Sequence, residues 1–132
     1  MYPPTDITID FGTSASTSSL RLIRRSVGAL LRSIWFDDVP IDPDAVVDVR
    51  FALDSICGSV VARSVSSEPL DCRVEVDRNS VSWTVCARLA GGAIGITDDV
   101  GWRMATILLD EIRVVDDDPA HFEVFCCKEL VA

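Results

Sequence analysis

The sequence predicts an α+β fold of two layers, with about three helices on one face of a mixed, mostly antiparallel sheet. Three observations predict it. Two segments carry apolar residues at helical spacing, a pair of segments alternates strictly between apolar and polar residues, and a shorter third helix precedes two closing strands. The resulting order, β-α-α-β-β-α-β-β, is that of helices packed together on one side of a sheet.

Ile7-Thr8-Ile9-Asp10-Phe11 alternates as a half-buried strand does. Residues 1–5 are expected to be loose, and the hydroxyl-rich stretch from Phe11 to Ser19 to be a turn and capping region. A first helix is expected from about Ser19 to Trp35. Leu20, Ile23, Val27, Leu30, Leu31 and Ile34 form its buried stripe, leaving Arg21, Arg25 and Arg32 outward and Arg24 at the boundary. Asp42 is a good N-cap and Pro43 suits the first helical position, where its missing N–H costs nothing. The second helix should run from about Pro43 to Arg63, with Ala45, Val49, Ala52, Leu53, Ile56, Val60 and Val61 inward and Asp44, Asp48, Arg50 and Ser55 opposite. Leu70, Cys72, Val74 and Val76 then alternate with Asp71, Arg73, Glu75 and Asp77. After an Arg78-Asn79 turn, Val81, Trp83, Val85, Ala87 and Leu89 continue the pattern of one buried and one wet face. A glycine-rich piece around Gly91, Gly92 and Gly95 leads to a third helix, about Val100 to Asp110, and strands are expected near Ile112–Val115 and Phe122–Cys127.

The 132 residues, 48% apolar with mean hydropathy +0.30, suffice for one core. With no repeat and no long linker, residues 1–132 read as one domain. No run approaches the roughly 18 apolar residues of a membrane span, and the first residues lack the basic cluster of a secretory signal, so a cytoplasmic protein without membrane contact is expected. The five cysteines form no C-x-x-C pair and fall in apolar segments, which reads as buried reduced thiols. His121 and the adjacent Cys126 and Cys127 lack the spacing of a tetrahedral site, so no metal is expected. A lone histidine likewise gives no Ser/His/Asp or Cys/His catalytic arrangement.

The net charge of −9 argues against direct nucleic-acid binding. Residues 1–36 nevertheless carry four Arg against two Asp, so a basic helix sits on an acidic body. Arg21, Arg24 and Arg25 are therefore either a solvated helix face or a docking surface for an acidic partner.

Three segments resemble one known family. Leu20 to Leu30 looks like the first helix, Asp48 to Ser59 the second helix, and Gly101 to Ile112 the third helix and following strand of the RsbW/SpoIIAB-type anti-sigma factors. These belong to the GHKL, or Bergerat-like HATPase, class of ATP-binding folds, and the resemblance spans about Ile7 to Lys128. It implies that helix one contacts a sigma factor and its anti-anti-sigma (STAS) antagonist, with Arg24 at the position of the family's contacting arginine. The other reading of Arg24 is a pair with Asp44 or Asp48.

The same resemblance implies a degenerate nucleotide pocket. Active members use a Glu on helix two and an Asn four residues later, the latter holding Mg²⁺; those positions here are Ser55 and Ser59, which supply neither a base nor an adequate metal anchor. The adenine-reading Asp of the D-x-G-x-G box falls on Ala87, with Leu89 in place of the first glycine and only Gly91 retained. The later G-x-G reads Asp99-Val100-Gly101, which sets a carboxylate where phosphates would lie. The family's Gly-Thr falls on His121-Phe122, and Trp102, in place of a small residue, either fills the vacated pocket or marks an interface. The expectation is thus a regulator that binds a sigma factor or STAS protein through helix one, without cofactor, ATP hydrolysis or kinase activity, and compatible with a homodimer. The alternatives are an active ATP-dependent serine kinase acting on the antagonist, or an inert paralogue that pairs with an active relative.

Overall fold

Strands β1 (Ile7–Ser14), β2 (Pro69–Val76), β3 (Ser80–Ala87), β4 (Glu111–Asp116) and β5 (Phe122–Glu129) form one sheet in the order β1-β2-β3-β5-β4. Helices α1 (Thr17–Ile34), α2 (Pro43–Arg63) and α3 (Val100–Leu108) cover one of its faces. The computed structural model describes residues 7–14, 17–34, 42–65, 68–77, 80–91 and 93–130. Residues 1–5, Trp35 and the Arg78-Asn79 turn lie outside them, as do the side chains of Leu30, Leu31, Arg32 and Ile34.

All four strand pairings are antiparallel, which removes the parallel component that a mixed sheet would have. The connections explain this. A single helix between strands returns the chain to run parallel, whereas the two successive helices between β1 and β2 reverse it once more. The single crossover through α3 does make β3 and β4 co-directional, but β5 lies between them.

Alternation in β2 places Leu70, Cys72, Val74 and Val76 in the core, and β3 adds Val81, Trp83, Val85 and Ala87. β1 is longer than expected. Gly12, Thr13 and Ser14 pair with Asp71, Leu70 and Pro69 in place of starting a turn, because β2 offers a continuous ladder there. At the opposite edge β4 is irregular, with a register shift between Val114 and Asp116.

Asp42 caps α2, its side chain accepting from the Asp44 N–H at 3.0 Å, with Pro43 in the first turn. The helix is buried on more than one side, since it lies between α1 and α3 above the sheet; Val46, Cys57 and Ser59 join the expected inward set. Two residues expected on its open face are therefore engaged. Asp48 lies 3.8 Å from the Lys128 ammonium, and Ser55 packs on α3. α3 ends two residues early, at Leu108, because Leu109 leaves the helix to bury its side chain and Asp110 accepts a hydrogen bond from the Glu129 N–H at 2.6 Å.

Cys57, Cys72 and Cys126 are buried free thiols, while Cys86 and Cys127, which alternate onto the uncovered face of the sheet, are only half-buried. Among the described residues no helix is long and apolar enough to cross a membrane.

Candidate functional site

Two surfaces correspond to the residues singled out in the sequence. The first is the outer face of α1. Burial of Ile23 and Val27 against α2 turns Arg21, Leu22, Arg24 and Arg25 outward, and all four are exposed. Arg24 is also paired: its Nε donates to Asp54 Oδ1 at 3.0 Å and its Nη2 donates to the same oxygen. The partner is thus on α2, but it is Asp54 and not Asp44 or Asp48. Leu20, Arg24, Arg50 and Asp54 line a shallow groove between the two helices. With both side chains of the pair about half exposed, water screens it to at most about 1 kcal/mol, which leaves Arg24 able to exchange partners.

The second surface lies where α2 meets the start of α3. Gly101 sits so close to α2 that a Cβ added to it would be 3.2 Å from the Ser55 Cβ and 3.5 Å from the Ser55 carbonyl oxygen. Helix two and helix three touch here through a serine and a glycine, with no side chain between them. One turn further along α2, Ser59 is buried, and beyond it Arg63 reaches Asp99 in a two-pronged ion pair. Arg63 Nη2 donates to Asp99 Oδ1 at 2.9 Å and Nη1 donates to Oδ2. The guanidinium holds the Asp99 carboxyl below the usual carboxylate range, and Ser59 acts in the same direction. Asp99 precedes α3, yet its side chain caps no backbone N–H of that helix, being committed to Arg63.

The remaining positions line the core beside this junction. Ala87 is 4% exposed and pairs in register with Leu70 and Phe122. Trp102 is also 4% exposed and packs against Phe122 with ring centroids 6.4 Å apart at an interplanar angle of 57°. Gly91 is exposed, with open space where a side chain would stand. The segment before it is stitched to the end of α2: Val65 N donates to Arg88 O at 3.0 Å and Ala90 N to Arg63 O at 2.8 Å, while Leu89 N donates to Pro119 O at 2.7 Å.

The structure therefore brings Ser55, Ser59, Asp99 and Gly101 together and places Trp102 and Ala87 in the adjoining core. Arg21, Arg24 and Arg25 occupy the separate α1 face. Sequence reasoning missed Arg63, and it weighed Asp54 only as a disfavoured catalytic acid, not as the partner of Arg24. Arg63 had a weak signal, being a basic residue in the last turn of a helix, but its partner is 36 residues away. Chemically the junction offers two hydroxyls and a carboxylate already neutralised by an internal cation.

A two-layer α+β domain with three helices on an antiparallel sheet is the class this architecture defines, and comparisons with known proteins agree with it. No protein-family model matches the chain. Anti-sigma-F factor RsbW from two strains of Mycobacterium tuberculosis, CDC 1551 / Oshkosh and H37Rv, is 25% identical over 109 residues, 83% of this chain and 62% of the relative. The crystal structure of the RsbU and RsbW domains of Rv1364c from Mycobacterium tuberculosis superposes with a TM-score of 0.70 at 16% identity, over 94% of this chain and 32% of that one. The chain thus spans less than two thirds of the length of the curated relatives it matches. It is RsbW-like in sequence and shares the fold of the solved structure.

Proposed function

We propose that this protein is an anti-sigma-like regulator that sequesters a sigma factor or an anti-anti-sigma (STAS) protein through the outer face of α1, acting in the cytoplasm without nucleotide chemistry. The observation that carries the reading is the exposed Arg21, Arg24 and Arg25 face on a chain of net charge −9 that is similar to anti-sigma-F factor RsbW. Guanidinium groups offer planar forks of donors to acidic side chains and backbone carbonyls. In this reading Asp54 keeps Arg24 oriented until a partner carboxylate replaces it.

Absence of nucleotide chemistry is supported by the α2–α3 junction. The family resemblance implies that a nucleotide and its metal would lie between the second and third helices. Here Ser55 meets Gly101 directly, Arg63 and Asp99 neutralise each other at the start of α3, and Trp102 packs on Phe122. A polyphosphate would have to break the Arg63–Asp99 pair and would then face an uncompensated carboxylate.

The test is affinity capture from the native cytoplasm with the wild-type chain and with Arg24→Glu, the captured proteins being identified by mass spectrometry. Recovery of a sigma factor or STAS protein by the wild type, reduced at least about tenfold by the charge reversal, is the expected result. Recovery of neither would overturn the reading. Calorimetry with MgATP addresses the alternative kinase. Binding tighter than about 100 μM, equivalent to about 5.5 kcal/mol, would establish a working pocket, and no heat is expected.

A further inference from the structure

The face of the sheet that none of the described helices covers carries a cluster that the proposed function does not use. Cys86 on β3 and Glu123 on β5 are directly opposite each other in register, and their side chains project to this uncovered face between Val85 and Ala87 and between Phe122 and Val124, which are buried on the other. His121 ends the 3₁₀ turn Pro119–His121 just before β5. Cys86 Sγ lies 3.4 Å from His121 Nδ1 and 3.7 Å from Nε2, and one ligand atom from each of Cys86, His121 and Glu123 falls within 4.8 Å of the others.

We propose that Cys86, His121 and Glu123 form a binding site for a zinc-class divalent cation, with water in the fourth position. Tetrahedral zinc, with a sulfur at about 2.3 Å and an imidazole nitrogen at about 2.0 Å, sets those two atoms about 3.5 Å apart, close to the observed separation. A thiolate, an imidazole and a carboxylate together select zinc over calcium or magnesium, which require hard oxygen ligands.

The histidine is positioned by backbone already in place. Asp118 accepts from the Ala120 N–H at 3.0 Å, its own N–H donates to Asp116 Oδ1 at 3.0 Å, and its carbonyl accepts from the His121 N–H at 2.9 Å. The Leu89 N–H donates to Pro119 O and ties the same turn to the end of β3. The carboxylates of Glu123, Asp71 and Asp116 lie near Cys86 and give this part of the face a negative field that attracts a cation. Cys86 and Glu123 also line a wider groove on this face, which gives the fourth position access to solvent. When the metal binds, a metal–sulfur bond replaces the S–H bond and the proton passes to buffer. The ion would tie the start of β5 to β3.

The test uses the full, reduced, metal-free chain titrated with Co²⁺ and then Zn²⁺. One equivalent of cobalt should produce a thiolate-to-metal charge-transfer band with tetrahedral ligand-field bands, and one equivalent of zinc should abolish both. Calorimetry in buffers of different ionisation enthalpy should show at least one proton released per zinc. Cys86→Ser should remove the charge-transfer band, and His121→Ala and Glu123→Gln should each weaken zinc binding at least about tenfold. Cys127→Ser, which removes the other half-buried thiol, should leave it unchanged. Circular dichroism checks that each variant is folded, and should one of the three fail to fold, the other two decide. Absence of the band in the wild type, its persistence in folded Cys86→Ser, or its equal loss in Cys127→Ser would each overturn the proposal.

Discussion

Single side chains decide the state of the α2–α3 junction. Asp99, held below the usual carboxylate range by Arg63, contributes stability that is fully present above the carboxylate's unfolded pKa of about 3.9 and is lost as pH falls through the lower folded value. Arg63→Met removes the cause, so its stability should fall less steeply than the wild type's as pH drops below about 4, measured as denaturant midpoint against pH. Gly101 has a different constraint. Its contact with Ser55 leaves no room for a branched side chain, and Gly101→Val should destabilise the fold by about 1–3 kcal/mol in urea unfolding. Neither contact was legible in the sequence. Arg63 read only as the end of the second helix, Asp99 as a carboxylate in a degenerate phosphate loop, and Ser55 both as part of an open face and as a vacated catalytic position, because the packing of α3 against α2 is a tertiary fact that local pattern does not carry. The pairing of Asp54 was hidden for the same reason, its partner Arg24 being 30 residues distant on another helix.

For whole elements the sequence spoke more clearly where local chemistry governs. The Asp42-Pro43 signal set the start of α2 correctly, since capping is decided by adjacent residues; Asp42→Ala should cost about 1 kcal/mol, read from thermal or denaturant unfolding. Alternation in β2 and β3 likewise identified the buried face residue by residue. The errors fall where a partner element intervenes: β1 runs on to Ser14 because β2 is there to pair with it, and α3 stops at Leu108 because Leu109 and Asp110 are drawn into the core and onto β5. α3 is also held by Trp102 against Phe122. Trp102→Ala should cost about 3–5 kcal/mol by equilibrium unfolding, a large share of the stability of a domain this size, and should not create MgATP binding, since Ser55 and Ser59 remain.

Across the molecule, charge is divided between a cationic α1 face and an acidic remainder. Complex formation with an acidic partner should therefore weaken as salt rises, and Arg24→Glu should flatten that dependence; binding rates measured between low and physiological ionic strength test it. Asp54→Asn separates orientation from competition. If Asp54 chiefly occupies Arg24, the variant should bind the partner several-fold more tightly. The fold class and the RsbW-like character were readable from element order and three helical segments. The Cys86, His121 and Glu123 cluster was not, because Cys86 and Glu123 become neighbours only through the β3–β5 register.

The backbone ladder and ion pair that fasten Arg63 to Ala90 and Asp99 carry a consequence for control. If, as proposed, the protein works without nucleotide, this fastening leaves the described residues with no nucleotide-driven hinge between gripping and releasing. Under the proposed reading, its affinity is a constant, and its effect is governed by stoichiometry: free partner stays scarce until copy number exceeds that of the regulator, then rises abruptly. Such a protein sets a threshold through how much of it is made and how fast it is degraded.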